Sequence, residues 1–195
     1  MAEYARVGLE SARVEDIVTA AGTSWGTFFH YFPAKEDVLL DAAAEVSRAY
    51  SIEALAGLAE GQDTAAILTR AFAALNAAAG DAAATTALRV RLLMYVMSHP
   101  GRLTVFLGED VPPPVAATTA VLAAGQHRGE IRADEPAESL AVIVLYAVLF
   151  AGRRGLTIGR PPGSAPLSHL ALDITLRGMR PREQPEPPHP HHPPT

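Results

Sequence analysis

The sequence predicts an all-α protein, and three observations carry that prediction. Apolar residues recur at three- and four-residue spacing along nearly the whole chain, the period of a helix with one buried face. The interruptions fall at Gly- and Pro-containing clusters such as Gly61-Gln62-Asp63, His99-Pro100-Gly101 and residues 155–166. No stretch alternates apolar and polar residues as a half-buried strand would, and 49% hydrophobic against 19% charged residues suits a folded, well-buried chain. No internal repeat is visible.

The first helix of an N-terminal pair is expected from about Val14 to Ala21, with Val14, Ile17, Val18 and Ala21 on one face and Glu15, Asp16 and Thr19 toward water. Its acidic first turn suits the positive end of the helix dipole. Gly22 can take the left-handed conformation that ends a helix, and Ser24 offers a hydroxyl cap to the next one. That second helix carries Trp25 to Phe32. Phe28 and Phe32 anchor it inward, while Trp25, Gly26, Thr27, Phe29 and Tyr31 fall near its outer front edge. Pro33 stops it, and Lys35-Glu36-Asp37 opens an Ala-rich helix over residues 35–58. Asp63 or Thr64 caps the next, in which Ile67, Leu68, Ala71, Phe72 and Leu75 recur at helical spacing. Further helices are expected over residues 84–98, 115–128, 136–152 and 167–178. The last fifteen residues are Pro/His-rich and predict a disordered or extended tail.

Two short helices joined by a tight glycine turn, the second with an exposed polar edge, form the shape that enters a DNA major groove. The pattern Gly8…Val14-x-Asp16-Ile17…Ala21-Gly22-x-Ser24-x-Gly26-Thr27-Phe28-Phe29-x-Tyr31-Phe32-x-x-Lys35-Glu36-x-x-Leu39 resembles the helix-turn-helix of the TetR family of transcriptional regulators. The stretch Gly129 to Asp134 is similar to a segment common in that family's bodies. The resemblance implies a helix-turn-helix head over residues 1–45, a helical ligand-sensing and dimerising body over 46–180, and a tail over 181–195. It places Trp25, Gly26 and Thr27 where the family reads base edges and nearby backbone, with Ser24 capping that helix. Phe29 and Tyr31 fall where aromatic side chains touch phosphates, and Lys35 where the family has a phosphate-binding cation. Phe29 stands in place of the usual tyrosine, so one phosphate hydrogen bond is expected to be missing. Ala12 and Arg13 stand where the family has a Ser or Thr cap, Ala34 replaces a common serine cap before Lys35, and Arg13 is expected to be able to reach a phosphate itself.

Only Met1 to Val7 precede the glycine at position 8, where the family has a full first helix. A shortened first helix is therefore expected, through a late start at Met1 or a reduced head. Residues 1–50 hold four Lys/Arg against eight Asp/Glu, a poor electrostatic start for DNA, whose affinity comes mainly from cations neutralising phosphates. The net charge of −5 argues against a general nucleic-acid coat protein. With no cysteine, the chain has no disulfide, thiolate nucleophile or Cys-ligated metal. No metal site, cofactor or enzymatic activity is expected: the histidines form no His-x-x-x-His pair, there is no G-x-S-x-G elbow, and phosphate-binding Gly loops are absent. No apolar run reaches the ~18–20 residues that cross a bilayer, and a cytoplasmic location without membrane contact is expected.

Residues 136–152 are apolar nearly all round, so the helix must be buried on every side. Either it is the central core helix or it packs partly against a second subunit. The family resemblance favours the second, a homodimer through the last two helices, with Leu145, Leu149, Gly152, Leu170 and Ile174 at the interface. Phe72, Leu92, Met94, Tyr95, Phe106 and Tyr146 are candidates to line a pocket for a small hydrophobic or aromatic effector, though the same residues suit ordinary core packing. The function expected is a ligand-responsive regulator: a repressor that grips a palindromic double-stranded DNA operator and is released by a small molecule. The alternative is a helical binding and dimerisation module with impaired DNA binding.

Overall fold

The computed structural model describes residues 12–35, 37–79, 111–151 and 166–181. Among the described residues there are seven helices and no strand: α1 (Val14–Ala20), α2 (Trp25–Tyr31), α3 (Asp37–Ala59), α4 (Thr64–Ala79), α5 (Pro114–His127), α6 (Ala137–Ala151) and α7 (Leu167–Gly178). None is long and apolar enough to cross a membrane. The shortened first helix, the helix expected over 84–98 and the Pro/His-rich tail lie outside the described residues, as do Leu92, Met94, Tyr95, Phe106 and Gly152.

Two cores result. The small one joins Ala12, Ile17, Val18 and Phe28, with Val14, Phe32 and Val38 packed against it. The large one draws Tyr50 and Ala54 from α3, Ile67 and Leu68 from α4, Val121 and Leu122 from α5, and residues of α6 and α7. Helix α3 serves both. Its 23 residues extend about 35 Å at the usual rise, with Val38 in the first core and Tyr50, Ala54 and Leu58 in the second. A long Ala-rich helix suits that role, because alanine has the highest helix propensity and lets neighbouring helices approach closely.

Tyr50 is fully buried, and its ring meets Phe72 edge-on at 5.0 Å. Its hydroxyl lies 2.8 Å from Thr118 Oγ1, which itself donates to the Pro114 carbonyl, so Tyr50 is the donor of the pair. Burial pushes the phenol up to about 12, against the opposing pull of the Thr118 hydrogen bond. This pair ties α3 to α5 inside the body core.

The turn after α5 is the second polar fastening. Gly129 takes a positive φ, and Glu130 follows it with its carboxylate accepting from Thr64 N–H at 2.8 Å and Thr64 Oγ1 at 2.7 Å. Glu130 thus caps the N-terminus of α4 from a distant part of the chain. Arg128 donates to the same carboxylate, and its hydrogen bond is the main reason Glu130 is held down to about 2. Close approach is possible because position 125 is glycine: a Cβ there would sit 2.3 Å from Thr64 Oγ1 and 2.9 Å from Ile131 Cγ1. The Gly129–Asp134 segment singled out in the sequence is therefore a clasp between α4, α5 and α7. Arg132 N–H completes it by donating to the Met179 carbonyl at 2.7 Å.

Helix α6 differs in part from its expected burial. Leu140, Ala141, Val144, Leu145 and Val148 point into the chain's own core. Leu145, expected at a subunit interface, is thus used within the protomer, because it lies one residue from Val144 and four from Ala141 on the inward face. The outer face instead carries Val142 and Ile143, the latter 53% exposed. Leu149 is half-buried, and on the neighbouring α7 Leu170 and Ile174 are exposed. Phe72 is buried beside a groove of about 250 Å³ between α4 and α7, whose walls include Val148, His169 and Leu172. Tyr146 does not border that groove; its ring stacks on Phe150 at 6.1 Å.

Candidate nucleic-acid interface

The turn between α1 and α2 is set by backbone hydrogen bonds. Gly22 N–H donates to the Thr19 carbonyl at 3.1 Å and Thr23 N–H to the Val18 carbonyl at 2.9 Å, the paired bonds of a Schellman ending. Gly22 itself has φ +63°, which glycine adopts without a Cβ clash. Two residues on, Ser24 is extended and its Oγ accepts from Thr27 N–H at 3.1 Å, starting α2. The same Oγ lies 2.9 Å from Thr27 Oγ1, so the two hydroxyls satisfy each other at the front of the helix.

Helix α2 then divides into an inner and an outer face. Phe28 is buried and touches the half-buried Phe32 ring at 5.5 Å. On the outside Trp25 is 47% exposed, Phe29 39% and Tyr31 67%, three large apolar side chains on one seven-residue helix. They are held rather than loose. The Trp25 and Phe29 rings lie 5.3 Å apart, and Phe29 meets Phe28 edge-on at 5.2 Å, so an aromatic chain runs from the surface into the head core.

Gly26 sits in the same outer stretch. Among the described residues a Cβ added there would meet only Ser24 Oγ at 3.9 Å, an ordinary contact, so none of them requires glycine. Glycine inside a helix costs about 0.5–1 kcal/mol relative to alanine.

The cations expected near DNA flank this face. Arg13 precedes α1, and its Nε lies 3.7 Å from the Glu15 carboxylate, with both side chains well exposed. Lys35 Nζ donates to the Ala12 carbonyl at 3.4 Å, joining the two ends of the head. Sequence reasoning missed one helper beside it. Ala34 has no side-chain cap to offer, yet its N–H is satisfied by Asp37 Oδ2 at 2.8 Å, the reciprocal half of a capping box. The signal was available: an acid three residues after a helix start.

An all-helical protein with a two-helix head, a glycine turn and an exposed aromatic front on the second helix belongs to the helix-turn-helix class. The comparisons sharpen this. Residues 1–42 match the family model for bacterial regulatory proteins of the tetR family. The fold is similar to the crystal structure of Thermus thermophilus FadR, a TetR-family transcriptional repressor in complex with lauroyl-CoA. The TM-score is 0.65 at 25% sequence identity, over 94% of this chain and 93% of that one. No curated protein matches the chain. The head thus matches the tetR family model, and the chain as a whole has a fold similar to that of a TetR-family repressor.

Proposed function

We propose that this protein is a transcriptional repressor that binds a palindromic DNA operator as a homodimer and leaves it when a hydrophobic small molecule binds the body. The observation that carries the reading is the outer face of α2. Trp25, Gly26, Thr27 and Phe29 are exposed on a rigid, capped helix with Arg13, Tyr31 and Lys35 around it. Two such heads are needed to reach half-sites about one helical turn apart. The apolar outer face of α6 and α7, with Val142, Ile143, Leu170 and Ile174, is the surface we assign to the second copy. Such a regulator acts in the cytoplasm, where its operator lies, and needs neither catalysis nor a cofactor.

An effector releases the operator only if it binds one arrangement of the heads better than the other. The geometry supports α3 as the transmitting element, since one end lies in the head core and the other in the body core. FadR's complex with lauroyl-CoA makes that acyl thioester the first probe to try on this chain.

A gel shift with the protein's own upstream region tests the reading. Saturable, sequence-specific binding that lauroyl-CoA or another long-chain hydrophobe reverses is the expected result. Lys35→Ala or Tyr31→Ala should each weaken binding about 5- to 10-fold through lost phosphate contacts, on the order of 1 kcal/mol apiece. Unchanged affinity in both would contradict the docking. The acidic balance of residues 1–50 favours one second reading, a helical binding module whose head grips DNA poorly. Weak binding to every duplex, abolished by modest salt, would favour it.

A further inference from the structure

We infer that the Trp25–Phe29 pair reads the 5-methyl groups of thymine, so that each operator half-site presents thymine to the front of α2. The inference rests on the DNA-binding reading above and names what that face recognises.

Helix α2 lacks the side chains that usually read bases. Its seven residues, WGTFFHY, include no Arg, Lys, Asn, Gln, Asp or Glu, the side chains that make bidentate or charge-assisted contacts to guanine, adenine or cytosine edges. Three side chains with hydrogen-bonding groups besides the Trp25 indole remain. Thr27 Oγ1 is engaged with Ser24 Oγ at 2.9 Å. The His30 and Tyr31 rings meet edge-on at 5.1 Å, toward the C-terminal end of the helix and away from Trp25 at its start. What the front of the helix offers a major groove is apolar ring surface, and the only apolar group a base pair presents there is the thymine methyl.

The rings are also prepared for that contact. Trp25 and Phe29 lie one helical turn apart with centroids 5.3 Å apart, and Phe28 buttresses Phe29 from the buried side. Little side-chain freedom is then lost on binding, so most of the gain from covering the rings appears as affinity. Gly26, where a Cβ would meet only Ser24 Oγ at 3.9 Å among the described residues, lets the groove wall come close beside them. A head poor in phosphate-neutralising cations depends more than usual on such contacts.

The test uses the full-length protein and a random duplex library. Duplexes are enriched by binding, and each enriched thymine is replaced in turn by deoxyuridine, which keeps the base pair and removes only the methyl. Enriched half-sites are expected to carry thymine, with about fourfold weaker binding for each contacted methyl lost, the worth of one buried methylene-sized group. Trp25→Ala should bind thymine and deoxyuridine duplexes equally well. Trp25→Gln, which keeps a polar side chain of some length but no ring, should likewise lose the preference for the methyl. Helix content and melting temperature of both variants establish that they fold. Because Trp25 is the sole tryptophan, its fluorescence should change more on the thymine duplex than on its deoxyuridine counterpart. Saturable binding that ignores the methyl, or a methyl preference that survives in a folded Trp25→Ala, would overturn this readout and leave DNA binding standing. Failure to enrich any duplex would overturn both.

Discussion

The head and the body of this chain are specified in different ways. Among the described residues the head core has four buried side chains, Ala12, Ile17, Val18 and Phe28, while the body core has seventeen. Among these residues burial contributes far less to the head than to the body. The head depends instead on local devices: the Schellman turn at Gly22, the Ser24 cap, and the Asp37 bond back to Ala34. The body has the larger burial and adds polar fastenings to it, among them Tyr50–Thr118 and the Glu130 clasp. Where burial is scarce, local chemistry has to be specific.

Phe28→Ala is the strongest way to break this comparison. Among the described residues Phe28 is the one aromatic member of the buried head core, and it is the foot of the Phe28–Phe29–Trp25 ring chain. Its loss is expected to cost about 3–5 kcal/mol, more than a core of this size can absorb. The head should unfold, with DNA binding gone, while the body's main melting transition stays within about 2 °C. Far-UV circular dichroism and a duplex-binding assay on the same sample read both halves. A single transition displaced as a whole would mean that α3 makes head and body one cooperative unit.

The same contrast governs what the sequence disclosed. Helix positions in both regions followed from periodicity, because α1, α3, α4 and α7 each present one apolar stripe. The head's surface was legible residue by residue, since a glycine turn and a hydroxyl cap can occupy few other registers. In the body the inward face of α6 was not legible. Val142, Ile143, Val144 and Leu145 are equally apolar, and only packing against α5 and α7 turns Val144 and Leu145 inward. Nor did Glu130 announce itself, because its partner Thr64 lies 66 positions away and no local pattern links them. Long-range polar clasps of this kind are written in no periodicity.

That clasp gives a smaller and more selective perturbation. Glu130→Gln keeps the shape but replaces the carboxylate that holds Thr64 N–H, Thr64 Oγ1 and Arg128. With allowance for partial exposure, the loss at neutral pH is expected at about 1–2 kcal/mol, or about 2–8 °C in melting temperature for a chain of this length. The sign follows from the carboxyl being held down to about 2, below its ordinary value of 4.5. The stabilisation is complete above pH 4.5 and drains away as pH falls toward 2. Melting at pH 7 and at pH 2.5 should therefore show a wide gap between wild type and variant at the first and a narrow one at the second. DNA affinity at neutral pH should be unaffected if the clasp serves the body alone. A gap independent of pH would show that shape, not charge, holds the clasp.

Gly26→Ala gives the smallest effect and separates the regions most sharply, because its two consequences have opposite signs. The added methyl meets only Ser24 Oγ at 3.9 Å, so the fold gains helix propensity without a clash. Head stability should rise by about 0.5–1 kcal/mol. On the outer face of α2, however, the same methyl occupies the space through which a groove wall must approach Trp25. Operator affinity should fall severalfold even as the head becomes harder to unfold. Hydrogen exchange of α2 amides reads the stability, and titration with an enriched duplex reads the affinity. A variant that gained both would show that Gly26 is merely tolerated, whereas a gain in one against a loss in the other identifies it as a residue kept for what lies outside the chain.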